Sequence, residues 1–396
     1  MANIINLKPF KNFFASQSTG GIILMLCVVL SLIIANSGLG DGFNALLGQM
    51  IGFENEYIEL NYSILLWIND GLMAIFFLMV GLEIKRELVE GELSSIKNAS
   101  LPIIAALGGM LVPALIYILI DSSEKTGHGW GIPMATDIAF AIAIVSMLGD
   151  KVPNSLKIFL TALAIVDDLG AILVIAVFYS SDLHFNNLLY AGLILVMLAA
   201  FNYFGVKKLV FYIVPGIFIW YFVHHSGIHA TIAGVLTAFT IPTNTIEEES
   251  PLEKLEHMLT KPVNFIIMPI FAIANTNIRF ESSMVTNITS GLSLAIICGL
   301  MIGKPLGILS FSWIAVKSKV SNLPSMANWS QIGGIGLLAG IGFTMSIFIA
   351  LLSLEDPSSQ IQAKFSILIA SVSAGILGYT ILSILGKTKK RAIIKE

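Results

Sequence analysis

Asp70, Asp137, Asp167, Asp168 and Lys304 each stand deep inside a long apolar run, and His229 stands near the start of another. A charged side chain at the centre of a membrane helix costs about 2.5–3.5 kcal/mol on insertion scales, so five of them mark chemistry rather than packing. Adjacent Asp167 and Asp168 differ by about 100° around a helix and serve different partners. One can pair with Lys304 while the other stays open. Two carboxylates close together in low dielectric cannot both ionise cheaply, so groups of this kind hold protons near neutral pH and exchange them. A small hard cation prefers carboxylate and carbonyl oxygen and can take the protons' place. Competition of H+ and a cation for one site is the minimal chemistry of exchange. The plainer alternative is an ion-pair network that only fixes helix packing, but four carboxylates against one ammonium leave it unbalanced.

The chain that must position these groups has 396 residues, with 22 Lys plus Arg and 25 Asp plus Glu. At 12% charged, 56% hydrophobic and a mean hydropathy of +0.86 it cannot be a water-soluble globule, whose charged share is about 25%. A net charge of −3 supplies no field for nucleic acid. Cys27 and Cys298 lie in apolar runs and form neither a disulfide framework nor a paired metal motif. The uncharged stretch 12–40 after Lys8 and Lys11 exceeds a signal-peptide core and reads as a retained first span.

Charge-free runs predict an all-α polytopic membrane protein of twelve transmembrane helices. They fall near 19–38, 62–84, 98–120, 126–148, 156–180, 185–205, 208–223, 228–243, 261–280, 289–315, 328–353 and 362–386. The run 209–246 would be about 57 Å long as one helix, nearly twice the hydrocarbon thickness, so it must turn back, at His224-His225-Ser226-Gly227. With both termini inside, 18 of the 22 basic residues fall on the inner face, as the positive-inside rule requires. The outer loop 41–61 holds acidic residues and no basic ones; it either pairs as a hairpin or holds a dimer contact.

Counting inward at about 1.5 Å per residue, Asp137, the Asp167–Asp168 pair and Lys304 all lie about 15 Å into their spans. Two spans are interrupted, 126–148 by Gly129, Gly131 and Pro133, and 328–353 by Gly333, Gly334, Gly336, Gly340 and Gly342. They are the middle spans of blocks 98–180 and 289–386, which run in opposite senses and form an inverted repeat. The remaining spans, 19–84 and 185–280, are of interface type. Thr136-Asp137 before the apolar run 138–148 is a helix N-cap pattern placed in mid-membrane. Asp137 would offset the positive end of that new helix, and Lys304 would suit the negative ends. Glu83, Lys85, Arg86, Glu87, Glu90 and Glu92, with the acidic segment 247–257, crowd the inner face. They form either a solvated rim or a pH-responsive cluster in which His257, and His229 elsewhere, titrate nearest neutrality.

Five stretches carry a family resemblance: Trp67-Ile68-Asn69-Asp70-Gly71-Leu72-Met73-Ala74, Gly81-Leu82-Glu83-Ile84-Lys85-Arg86-Glu87-Leu88, Pro133-Met134-Ala135-Thr136-Asp137-Ile138-Ala139-Phe140, Leu163-Ala164-Ile165-Val166-Asp167-Asp168-Leu169-Gly170 and Gly340-Ile341-Gly342-Phe343-Thr344-Met345-Ser346. Over nearly its whole length the chain resembles the NhaA family of bacterial sodium/proton antiporters, itself an example of the inverted-repeat plan. The resemblance implies a twelve-helix inner-membrane protein, usually dimeric, that expels Na+ or Li+ for a larger number of protons and needs no cofactor. It implies that Asp168 is the principal cation and proton site, with Asp167 sharing Na+ binding and pairing with Lys304. Thr136 and Asp137 match the interrupted-helix residues, Asp137 chiefly balancing dipoles. Glu83, Arg86, Glu87, Glu256 and His257 match the region linked to pH activation. The stretch Glu247-Glu248-Glu249 has no role implied by the resemblance.

Two rivals use the same carboxylates. An intramembrane aspartyl protease needs Asp137 with Asp167 or Asp168 sharing a proton, which a nearby Lys304 would spoil. A cation channel needs no protonation cycle at all.

Overall fold

A computed structural model describes residues 8–55, 59–180, 183–243 and 249–393, with the side chains of 8–18 and 387–393 excepted. Lipid offers no hydrogen bonds to the backbone, so the apolar runs close their own as helices. Among the described residues, eight helices are long and apolar enough to cross a membrane: Ile64–Val89, Ile96–Ile120, Gly127–Lys151, Asn154–Phe178, Phe185–Tyr203, Pro251–Asn275, Gly291–Lys317 and Pro357–Gly386. Two bent pairs, Thr19–Ala35 with Gly40–Leu47 and Trp329–Ala339 with Phe343–Ser353, raise the number to ten if each is one span. The expected count of twelve also needs Val210–His224 and Ile232–Thr240. At 15 and 9 residues these are shorter than the roughly 20 a full crossing takes, so length alone supports ten.

The expected reversal lies between those two helices, with Gly227 at φ +84°. The loop 41–61 resolves into the helix Gly40–Leu47, bent 111° from its predecessor, and an antiparallel pair of Met50–Ile51 with Tyr62–Ser63. Trp67 Nε1 donates to Ile51 O at 2.9 Å and ties the hairpin to the next helix. One boundary differs from expectation by ten residues: the span placed at 261–280 begins at Pro251. Its first turns are amphipathic rather than apolar. They are nucleated by a capping box in which Ser250 Oγ accepts from Glu253 N and Glu253 answers to Ser250 N. Glu247 and Glu248 of the acidic stretch lie outside the described residues, as do the chain ends 1–7 and 394–396.

Two packed bodies hold the site. The larger apolar core joins both interrupted helices with Ile96–Ile120, Asn154–Phe178 and the last helix. A smaller one gathers Phe185–Tyr203, Val210–His224 and Ile232–Thr240 around Leu82, Leu252 and Leu255. Within the first, Ile96–Ile120 and Lys304–Lys317 meet backbone to backbone, since a Cβ on Gly108 would collide with Gly307 O. That contact fixes the depth at which Lys304 enters. Cys27 and Cys298 are free.

Candidate ion-binding site at the helix crossing

Pro133 and its flanking glycines hold Gly127–Met134 in a 3-10 helix, and Ala135 is extended. Asp137, at ψ 96°, then caps a fresh helix, Ile138–Leu148. In the partner span, helix Trp329–Ala339 stops and helix Phe343–Ser353 restarts with a bend of 49°. Gly340 sits at that break because any Cβ there would collide with Leu300 O. The two breaks cross. Asp137 N donates to Ile341 O at 2.6 Å, Thr136 Oγ1 to Ala339 O at 2.9 Å, and Ser346 Oγ to Ile132 O at 2.7 Å.

Four half-helix ends therefore meet in the interior, two exposing N–H groups and two exposing carbonyls. Asp137, 1% exposed, answers the positive pair. Its Oδ1 accepts from Phe140 N at 3.2 Å, and its Oδ2 accepts from Thr344 N at 3.0 Å and from the Thr344 hydroxyl. Lys304, fully buried, answers the negative pair by donating to Met134 O, at the end of the 3-10 helix. A π turn, Gly299–Gly303, immediately precedes it.

Lys304 Nζ lies 2.9 Å from Asp167 Oδ2, which also accepts from Thr136 Oγ1 at 2.7 Å. So Asp167 is the paired member, and its Oδ1 is buried without a hydrogen-bond partner. Asp168 is 5% exposed and accepts no hydrogen bond from any described residue. It lines a cavity of about 20 Å³ with Asp137, Glu83, Thr344 and Asn264, room for about one water or one small cation. No group of three or more His, Cys, Asp or Glu among the described residues is arranged as a metal cage. A site for a weakly held, exchangeable hard cation has few carboxylates beside hydroxyl and amide oxygens, and these residues have that composition.

The charged cluster around Arg86 reaches this cavity through Glu83, 5% exposed, one helical turn from Arg86 and Glu87. Arg86 Nε stands 3.0 Å from Glu256 Oε2, and Arg86 Nη2 stands 3.4 Å from Glu87 Oε1. His257 turns away to the surface, where Nδ1 lies 2.8 Å from Glu249 Oε1. His229 belongs elsewhere: its Nε2 meets Tyr179 O at 2.8 Å. Asp70 is not brought to the site either. It sits in a π turn, Trp67–Leu72, 3.3 Å from His224 Nδ1 and beneath Trp220 Nε1.

Reading the residues missed Thr344, which follows the glycine cluster and supplies two of Asp137's donors. A hydroxyl directly after a glycine-rich break was the available signal. Asn264 and the place of Glu83 in the cavity carried none.

Paired broken helices crossing at buried, compensated charges, with one carboxylate left over, define a multi-pass secondary transporter. A family model described as Na+/H+ antiporter 1 matches residues 11–382. The chain is 62% identical to Na(+)/H(+) antiporter NhaA 2 of Flavobacterium johnsoniae, covering 98% of itself and 96% of that protein. It is 46% identical to proteins named Na(+)/H(+) antiporter NhaA in Bordetella parapertussis, at 94% and 96% coverage, and in Escherichia coli, at 96% and 98%. The chain belongs to the Na+/H+ antiporter 1 family, whose members are transporters and not enzymes.

Proposed function

We propose that the protein expels Na+ or Li+ in exchange for a larger number of H+, electrogenically and by alternating access, with Asp168 as the shared site. The observation that carries this reading is the Asp168 carboxylate, without a hydrogen-bond donor among the described residues, in a one-water cavity beside a triply bonded Asp137 and a lysine-tied Asp167. Protons arriving from outside load Asp168 and Asp167. The core moves, inner Na+ displaces them, and Asp167 Oδ1 with Thr344 Oγ1 offers further oxygen. When Na+ binds, Lys304 loosens from Asp167, so the ammonium acts as a counter-charge that comes and goes. A site open to both sides would dissipate the gradient, so the motion is part of the exchange.

The inverted relation of 98–180 and 289–386 is supported by the same order of long, broken and long helix in each. Glu83, Arg86, Glu87, Glu256 and His257 form the pH-responsive region, joined to the cavity by Glu83, with His229 as a second titrating group. The protein resides in the bacterial inner membrane with both termini cytoplasmic and uses no cofactor. It pairs as a homodimer through 41–61, where Met50, Ile51 and Phe53 are more than half exposed on the hairpin. In inverted vesicles holding a pH gradient, Na+ or Li+ collapses it and K+ does little, while Asp168→Asn abolishes the response. Undiminished exchange in Asp168→Asn removes that residue from its role, and Na+ flux independent of the gradient returns the channel reading.

A further inference from the structure

Asn264 is the one polar residue in the turn Val263–Ile267, whose other members are Val, Phe and Ile. Its Nδ2 is buried and has no hydrogen-bond partner among the described residues. A buried amide left in that state costs stability that an apolar side chain of the same shape would not. The backbone singles out the same place. Pro262 brings no N–H to the helical ladder, and the turn that follows it is a π turn, in which Met268 N reaches back five residues to Val263 O. Such turns are rare and gather at functional sites. This one packs against helices Lys8–Ala35 and Met73–Val89. Gly20 lets the first of them close in, since a Cβ there would stand 3.3 Å from Asn264 Cβ.

Asn264 also forms part of the wall of the 20 Å³ cavity that holds Asp168 and Thr344. The carboxylate comes from helix Asn154–Phe178 and the hydroxyl from Phe343–Ser353, whereas Asn264 comes from a third span, Pro251–Asn275. A hard cation that sheds water into so small a space needs several oxygens at once. Asp137, which shares the wall, has both of its oxygens engaged at helix starts. A carboxamide carries one oxygen and one NH2 at equal reach, so a half-turn about χ2 sets Oδ1 where the orphaned Nδ2 stands.

We propose that Asn264 is a ligand of the transported cation, its Oδ1 completing the oxygen shell opposite Asp168. The inference rests on the exchange reading above and adds a residue to it. A cation held between Asp168 and Asn264 ties helix Asn154–Phe178 to Pro251–Asn275, so loading is coupled to how those two spans pack. The test is the Na+ concentration that half-saturates exchange by the full-length protein in inverted vesicles. Asn264→Leu keeps the shape and removes the oxygen. Its half-saturating concentration rises about tenfold, the lower end of what losing a group that orders a metal site costs, while the maximal rate is kept. Its melting temperature in detergent is no lower than that of wild type, because an unpartnered polar group has gone. Asn264→Asp keeps an oxygen at the same reach and restores half-saturation to the wild-type range. Unchanged half-saturation in Asn264→Leu, or a melting temperature well below that of wild type, overturns the proposal by making Asn264 a packing residue. Asn264→Asp as weak as Asn264→Leu overturns it too, since the work then belongs to the NH2. Continued exchange in Asp168→Asn would fault the exchange reading instead, whatever the Asn264 variants do.

Discussion

The crossing and the helix Asn154–Phe178 each bury aspartate at the same depth, and they treat it in opposite ways. At the crossing, Asp137 receives three donors from two helix starts, with both its oxygens engaged. On the long helix, Asp167 keeps one orphaned oxygen and Asp168 accepts from no described donor. A saturated carboxylate is a fixed charge that belongs to the architecture. An unsaturated one keeps buried oxygens that its neighbours leave without donors, and it carries an uncompensated desolvation cost.

That contrast predicts graded effects. The largest is on transport: Asp168→Asn loses essentially all Na+-dependent proton release, yet its melting temperature in detergent stays at or above that of wild type, because a costly unpartnered charge is gone. Asp137→Ala shows the reverse weighting. It strands two backbone donors and a hydroxyl, at about 1–3 kcal/mol each, so it melts well below wild type before any transport assay is informative. Thr136→Val is intermediate. It removes the one hydroxyl proton shared between Asp167 Oδ2 and Ala339 O, costs about 1–3 kcal/mol, and weakens Na+ activation with the maximal rate largely kept. Arg86→Gln costs about 1 kcal/mol or less, since Arg86 is about a third exposed. Loss of that cation moves the pH-activation profile toward the alkaline side, read by repeating the vesicle assay across pH.

The smallest effect lies at the N-terminal end of the last helix. Asp356 is held down to about 2 by the hydroxyl of Ser358, then by the hydroxyl and N–H of Ser359. A carboxyl whose folded value lies below its unfolded value of about 3.9 stabilises above that pH and loses its contribution as pH falls toward 2. Asp356→Ala therefore lowers the melting temperature slightly at pH 7 and not at all near pH 2.

The sequence makes Asp137 legible because a cap followed by an apolar run is a local pattern, and the structure shows that cap accepting from Phe140 N. The reversal at 224–227 is legible for a similar reason, since one helix of that length cannot fit the bilayer. Which of two adjacent aspartates meets Lys304 is not, because a 100° difference says nothing about where the neighbouring helix stands. Glu83 reads as part of either a solvated rim or a pH-responsive cluster because it opens a run of charges, yet it is buried into the cavity wall while Arg86 and Glu87 are only part-buried. The start at Pro251 is a different kind of miss. Its capping pair Ser250 and Glu253 is visible in the sequence, but a search for apolar runs passes over an amphipathic first turn.

The gap at Thr136-Asp137 and its counterpart at 340–342 interrupt the helical ladder where an unbroken rod would be stiffest. Each half can swivel about these joints like a crossbar on a pin, without snapping a single regular i to i−4 bond. The elastic penalty of rocking is thereby lifted from the backbone. It falls instead on the few side-chain contacts that bridge the breaks, at Thr136, Asp137, Lys304 and Ser346.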